Sequence, residues 1–170
     1  GPHSENFTPG QVNRAAHFVG QRMQARLPKL GTNYSVSMWF WNGMPNDSRE
    51  VLGWMFSRGR NHALGTGEYL GLNAKGQLIF RSGVKTFTGK TATTRWQWHQ
   101  TVLVRDGDIV RAYLDGQLQI EAKASALQPV QSLYLGGRHD NQSNWEGRLD
   151  EAAIFDRALS AAEVKVLSTP

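Results

Sequence analysis

The acidic pair Asp150-Glu151, close to the C-terminal end, is the first place to look for chemistry in this chain. Two carboxylates about 5 Å apart can serve as nucleophile and proton donor in glycosidic cleavage. A carboxylate joined by other oxygens can instead hold a calcium ion. The cleavage role needs both side chains on one face of a strand, hence at alternating positions. Asp150 and Glu151 are adjacent, and Ala152 and Ile154 stand where partners would be. No Glu-x-Asp-x-x-Glu constellation, serine nucleophile elbow, His-Glu-x-x-His motif or cysteine occurs in the 170 residues. The sequence therefore reads as a non-enzyme. Glu151 is expected to form a surface pair with Arg157 or Arg148.

Two polar stretches carry chemistry suited to sugars and anions. "RGRNHALGTG" (58–67) contributes Arg58, Arg60, Asn61 and His62 as candidate ligand-binding residues. "GRHDNQSNWEG" (137–147) contributes Arg138, His139, Asp140, Asn144 and Trp145, with Asn141 between them. Planar amides, carboxylates and guanidinium groups meet sugar hydroxyls, and aromatic rings meet C–H faces. The competing reading makes these solvated loop tips, with Trp145 filling an apolar position. His62 and His139 lack helical or hairpin spacing to another His, which argues against a transition-metal site. Trp39 and Trp41 share the non-core face of one strand, where they form either a sugar platform or packing.

These residues must be positioned by strands. "YSVSMWFW" (34–41) alternates, with Val36, Met38 and Phe40 on one face and Ser35, Ser37, Trp39 and Trp41 on the other. "VLGWMFS" (51–57) and "YLGLNAKGQLIF" (69–80) follow, the latter a hairpin turning at Ala74-Lys75-Gly76. In residues 98–123, Asp106-Gly107 and Asp115-Gly116 separate alternating runs, and Asp-Gly favours type I′ turns with positive φ at both central positions. "SLYLGG" (132–137) and residues 148–155 supply further strands. Ser160 to Glu163 spell a capping box opening a short helix, with Val164 and Leu167 as its apolar face. Residues 42–50, 58–67, 81–95 and 137–147 read as loops. Some nine to twelve strands in a two-sheet antiparallel sandwich with a short C-terminal helix are the expectation.

Composition narrows the class. The net charge is +5, yet Lys and Arg are scattered, with no run of five and no aromatic-basic pattern, so nucleic acid is not an expected partner. Arginine suits the carboxylates or sulfates of an anionic polysaccharide. No stretch approaches the roughly 18 apolar residues of a membrane span. The opening "GPHS" (1–4) resembles a protease-cleavage scar, which makes residues 5–170 a single domain excised from a longer protein, its targeting signal left behind.

Several stretches resemble the laminin-G-like, concanavalin-A-type jelly-roll domains of large bacterial extracellular proteins. "GRLDEAAIFDRALSAAEV" is similar to the family's closing Gly-x-Ile-Asp-Glu-x-x-Ile-Tyr-x-Arg-Ala-Leu-Ser-x-x-Glu. "WHQTVLVRDGDIVRAYLDGQ" matches its Trp-His-His-x-x-x-x-Arg-Asp-Gly…Tyr-x-Asp-Gly, and "AAHFVG", "SVSMWF" and "FSRGRNHALGTGEYLGL" match earlier motifs in order. The resemblance implies an all-β jelly roll whose last strand returns beside the N-terminal segment, with Trp96, Trp98 and His99 as core or corner residues. It implies a secreted, cell-surface or periplasmic location and a monomeric module of a multidomain chain. The function implied is non-catalytic carbohydrate binding to a polysaccharide; the alternative is adhesion to another cell-surface protein, or a structural spacer. It also implies a structural calcium with Asp150 among its ligands and no other cofactor. The family's usual Phe-Asp-Gly is Phe18-Val19-Gly20 here, followed by Gln21, Arg22 and Gln24 rather than acids. Asp150 is therefore either a calcium ligand or an acceptor for backbone amides or an arginine.

Overall fold

Alternation of apolar and polar residues becomes a two-layer sandwich in the computed structural model, which describes residues 7–59, 67–126 and 130–169. The strands in chain order are β1 (Phe7–Pro9), β2 (Arg14–Val19), β3 (Met23–Leu30), β4 (Asn33–Asn42), β5 (Val51–Arg58), β6 (Glu68–Asn73) and β7 (Gln77–Ser82). They continue as β8 (Lys85–Ala92), β9 (Trp98–Asp106), β10 (Ile109–Leu114), β11 (Gln117–Lys123), β12 (Val130–Leu135) and β13 (Glu146–Phe155), followed by helix α1 (Ala161–Leu167). One sheet has the order β1-β2-β13-β4-β9-β10-β11 and the other β3-β12-β5-β6-β7-β8, paired antiparallel throughout. The architecture is the all-β jelly-roll sandwich with a short C-terminal helix, and the last strand does return beside β2.

The core lies between the sheets. Val36, Met38 and Phe40 of β4 and Leu103 of β9 meet Phe56, Leu70 and Phe80 of the facing sheet. Each such side chain contributes about 1.5–3 kcal/mol on leaving water. At one end of the outer face of the seven-stranded sheet, α1 packs Val164 against Val102, Val104, Tyr113 and Leu159. Ser35 pins the approach to the helix, its hydroxyl donating to the Arg157 carbonyl at 2.9 Å and accepting the Leu159 amide at 3.0 Å.

Two turns refine the expectation. Asp115 and Gly116 both have positive φ, 49° and 77°, as a type I′ turn requires. In the preceding hairpin Asp106 is still paired with Ile109, so the turn is Gly107-Asp108, and only Gly107 has positive φ, at 57°. That is glycine at the first central position of a II′-like turn. Residues 81–95, read as a loop, contain β8. Its Thr-rich run is polar because it is an edge strand, and Gln119 of β11 accepts the amides of Lys90 and Thr91 at 3.1 and 2.9 Å across the open side of the sandwich. The strands β1 to β3 likewise lack a strong apolar alternation and raise the number beyond the expected range.

Candidate functional site

The two loops singled out from the sequence fare differently. Arg58 ends β5 on the core face and is 1% exposed. Its Nε donates to Glu68 Oε2 at 2.7 Å, Tyr34 donates to the same oxygen at 2.6 Å, and Arg105 pairs with Glu68 Oε1. Arg58 also stacks 4.4 Å above the Tyr34 ring. It is structural and offers nothing to a ligand from solvent, because alternation along β5 turns it inward beside Phe56. Burial, and then the Glu68 charge, pushes the Tyr34 hydroxyl well above its usual range. Arg60, Asn61 and His62 lie outside the described residues.

In the second loop, Trp145 is fully buried and meets Phe40 edge-on, with centroids 5.9 Å apart. It packs over Gly53, where a Cβ would come within 2.8 Å of its ring. Asn144 is also buried, donating to the Gly20 carbonyl and to Asn141 Oδ1, both at 2.7 Å. Trp145 and Asn144 thus hold the loop in place and are withdrawn from the ligand-facing set. Arg138, His139 and Asp140 remain at the surface. Arg138 grips Asp140 bidentately, at 2.7 Å from Nε and 2.6 Å from Nη2. Burial alone would raise the Asp140 carboxyl, but the Arg138 hydrogen bonds, the Gln142 amide and the Arg138 and His139 charges together hold it below the usual carboxylate range.

What lies beneath this loop is a cross-strand row on the outer face of the six-stranded sheet. Tyr134 of β12 stands opposite Ser57 of β5, Ser57 opposite Tyr69 of β6, Tyr69 opposite Arg81 of β7, and Arg81 opposite Thr86 of β8. Trp54 lies beside Tyr69, with centroids 5.5 Å apart, and Gly71 leaves room for its ring. Arg138 sits 5.4 Å from the Tyr69 centroid and 5.8 Å from that of Trp54; Arg81 is 5.3 Å from Trp54, and Arg22 4.9 Å from Tyr134. Ser57 donates to the Gly137 carbonyl at 2.8 Å, and Arg22 donates to the Arg138 carbonyl, so sheet and loop are tied together. Trp54 and Tyr69 are only 1% and 4% exposed. The rings are a floor, and the guanidinium groups form the upper layer. Burial raises the Tyr69 hydroxyl, as does the Asp140 charge, against the opposing Arg138 and Arg81 charges. Chemically this is a set of fixed cationic donors. Sequence reasoning found Arg138 and Asp140 but missed Trp54, Tyr69, Arg81 and Tyr134, which converge through strand register, and Arg22, which reaches them from the turn before β3.

Asp150 is 8% exposed and sits where β13 bulges, with Glu151 at a φ of 47°. One carboxylate oxygen accepts the Val12 amide and the other the Glu151 amide, both at 2.9 Å. Two amide dipoles thus already face Asp150 with their positive ends. The neighbouring Pro9 carbonyl is taken by Arg148 at 3.1 Å, a cation where an ion site would need an oxygen lone pair. Among the described residues no group of three or more His, Cys, Asp or Glu could hold a metal ion. This donor set does not fit calcium, which seeks six or more oxygens and usually more than one carboxylate. Nor does Glu151 find the partners expected of it: Arg157 grips Glu163 at 2.6 and 3.1 Å, and Arg148 holds Pro9.

Trp39, Trp41 and Trp98 lie half-buried on the outer face of the seven-stranded sheet, and Trp96 is 59% exposed, which removes Trp96 from the core or corner role. His99 does face inward, its ring 5.7 Å from Phe40, with Nδ1 at 2.7 Å from Asp115.

No curated protein matches this chain. Among solved structures, domain 4 of an extracellular arabinanase from Geobacillus stearothermophilus, in complex with arabinotriose, superposes with a TM-score of 0.69 at 21% identity, covering 96% of this chain and 80% of that one. The CBM40 of a Ruminococcus gnavus sialidase gives 0.66 at 11% identity over 88% of this chain and 98% of its own. The binding domain of botulinum neurotoxin serotype D gives 0.70 at 13% identity, over 96% of this chain but only 45% of that one. At such identities these likenesses speak for the fold. The profile of the concanavalin A-like lectin/glucanase superfamily matches residues 20–165, and the chain belongs to that family.

Proposed function

We propose that this domain binds carbohydrate without cleaving it, as a module of a larger secreted or surface protein, and that its ligand carries carboxylate or sulfate groups. The observation that supports this reading best is the pair Arg138 and Arg81, both held over the Trp54 ring by a rigid sheet. Arg81 is held by Nε on Thr86 and keeps both Nη groups for a planar anion, while Arg138, paired with Asp140 through Nε and Nη2, adds its Nη1. His139 and Asp140 add polar groups at the rim, and Arg60, Asn61 and His62 stay candidates on their residue types alone. With the rings covered, affinity comes from hydrogen bonds and charge rather than stacking. No helix among the described residues is long and apolar enough to cross a membrane.

Affinity electrophoresis through gels containing polygalacturonate, a sulfated glycosaminoglycan or a neutral arabinan tests the reading. Retardation by the anionic polymers, weakened in Arg81→Gln and in Arg138→Ala, is the expected result. Equal mobility in every gel would remove the carbohydrate reading and favour adhesion to a protein.

A further inference from the structure

The outer face of the seven-stranded sheet carries a second arrangement that packing does not explain. Helix α1 covers one end of this face, over Val102, Val104 and Tyr113. At the other end, a row runs across four strands: His17 of β2 opposite Arg148 of β13, Arg148 opposite Trp41 of β4, and Trp41 opposite Trp98 of β9. Trp39 and Gln100 stand opposite each other two residues further along. Adjacent strands lie about 4.8 Å apart, so the row extends roughly 14 Å, on a support that cannot collapse.

The side chains in this row are held in place, and their rings are left partly in water. Arg148 lies 4.6 Å from the Trp41 ring centroid, anchored by its bond to the Pro9 carbonyl, and its buried Nε has no acceptor. Trp96 stands two residues before Trp98, at the turn before β9, its amide donating to the Asn42 carbonyl at 3.1 Å next to Trp41. It has a φ of 64°, unusual for a bulky residue, and remains 59% exposed under Arg95, whose guanidinium is 4.1 Å from its centroid. Arg95 is itself fixed by two bonds to the Gly43 carbonyl, at 3.0 and 2.7 Å. A bulky residue held at positive φ in solvent costs stability and adds nothing to the core. Of the nearby carboxylates, Asp150 accepts the Val12 amide, Asp115 holds His99 and the Gln100 amide, and Glu146 pairs with Arg49 at 3.3 Å, while the exposed Glu151 falls in the β13 bulge, outside the row's register.

We propose that this face is a second glycan-binding surface, on which an anionic polysaccharide lies along the row with sugar C–H faces on Trp41, Trp98 and Trp96 and its carboxylates or sulfates on Arg148 and Arg95. Charge complementarity selects this occupant: every free charged group in the row is cationic or a histidine, and guanidinium groups alternate with the rings instead of rimming one continuous apolar patch. The two binding faces belong to opposite sheets, so a single domain can hold two polymer chains and cross-link them.

The test is tryptophan fluorescence titrated with short oligogalacturonate and with sulfated oligosaccharides. It uses the wild type, Trp41→Ala, Trp96→Ala, and an Arg81→Gln/Arg138→Ala double variant, each checked for an unchanged unfolding midpoint. Trp96 is exposed, so its variant reports on binding even if Trp41→Ala were to unfold. Saturable quenching that survives in the double variant, and weakens about tenfold on losing Trp41 or Trp96, is expected. Aggregation of long polygalacturonate by the wild type alone, and not by either single-face variant, completes the support. Quenching abolished in the double variant and intact without Trp96 would confine binding to the six-stranded sheet and overturn the proposal, leaving the first reading standing. A concentration-dependent dimer dissolved by Trp96→Ala, with no response to any oligosaccharide, would overturn it in favour of self-association. A silent titration with a monomeric protein would overturn it as well.

Discussion

Glu68 carries an unusual electrostatic burden for one carboxylate. It is fully buried between Arg58 and Arg105 and also accepts from Tyr34, so the cluster encloses two guanidinium groups against one negative charge. Arg105 relieves part of the excess by donating to the carbonyls of Gly107 and Ala124 at 3.0 and 2.7 Å. Removing the carboxylate leaves two buried cations unpaired, and Glu68→Gln is expected to lower stability by about 3–5 kcal/mol in urea unfolding. A loss below about 1 kcal/mol would mean that the backbone carbonyls alone satisfy both arginines. Asp150 carries a different expectation. Its acceptors serve amides, so Asp150→Ala should cost about 1–3 kcal/mol, while millimolar calcium or a chelator leaves the wild-type unfolding midpoint in place. A calcium-dependent rise in that midpoint, abolished in Asp150→Ala, would restore the ion to this site.

Among the elements, helix α1 has a defined pH response. It is short, and its first turn depends on the reciprocal bonds between Ser160 and Glu163. The Arg157 hydrogen bonds foremost, then the Ser160 amide and hydroxyl, hold the Glu163 carboxyl at about 2, below its ordinary value of 4.5. A depressed acid stabilises the fold above its unfolded-state pKa, and that contribution disappears as pH falls through the folded value. The midpoint difference between wild type and Glu163→Gln should therefore be constant from neutrality to about pH 4.5 and close as pH falls towards 2. A difference that stayed constant from neutrality down to pH 2 would show that Glu163 titrates as it does in the unfolded chain. The bulge in β13 acts at the same scale. By interrupting pairing with β4 between Asp150 and Ala153, it leaves Glu151 exposed and Asp150 beneath the turn before β2.

For the whole molecule, the sandwich supplies two outer faces, each with rings and guanidinium groups but with different exposure of the rings. On the six-stranded sheet cations cover the rings; on the seven-stranded sheet Trp96 and its neighbours reach water. On the proposed reading, binding to the first face should weaken steeply with salt, since charge dominates there, and binding to the second less steeply, since stacking adds to the contacts with Arg148 and Arg95. Titrations of the wild type and of Trp41→Ala at low and physiological ionic strength would separate them, the variant retaining the steeper slope. An identical slope for both proteins would argue that one face accounts for all the binding.

Alternation in "YSVSMWFW", the Asp115-Gly116 turn and the Ser160–Glu163 box were legible in the sequence because each is local, set by a period of two or by a fixed offset. The sandwich, its closing helix and the outward placement of Trp39 and Trp41 all follow from such signals. Burial of Arg58, Asn144 and Trp145 was not legible, since a polar loop composition does not reveal which side chains serve the core. Nor was β8, whose run lacks apolar alternation because only one edge of it is paired. Sequence by itself determined which faces exist. Only the tertiary structure decided which residues meet on them, because the row Tyr134–Ser57–Tyr69–Arg81 and the row His17–Arg148–Trp41–Trp98 are products of inter-strand register between segments far apart in the chain.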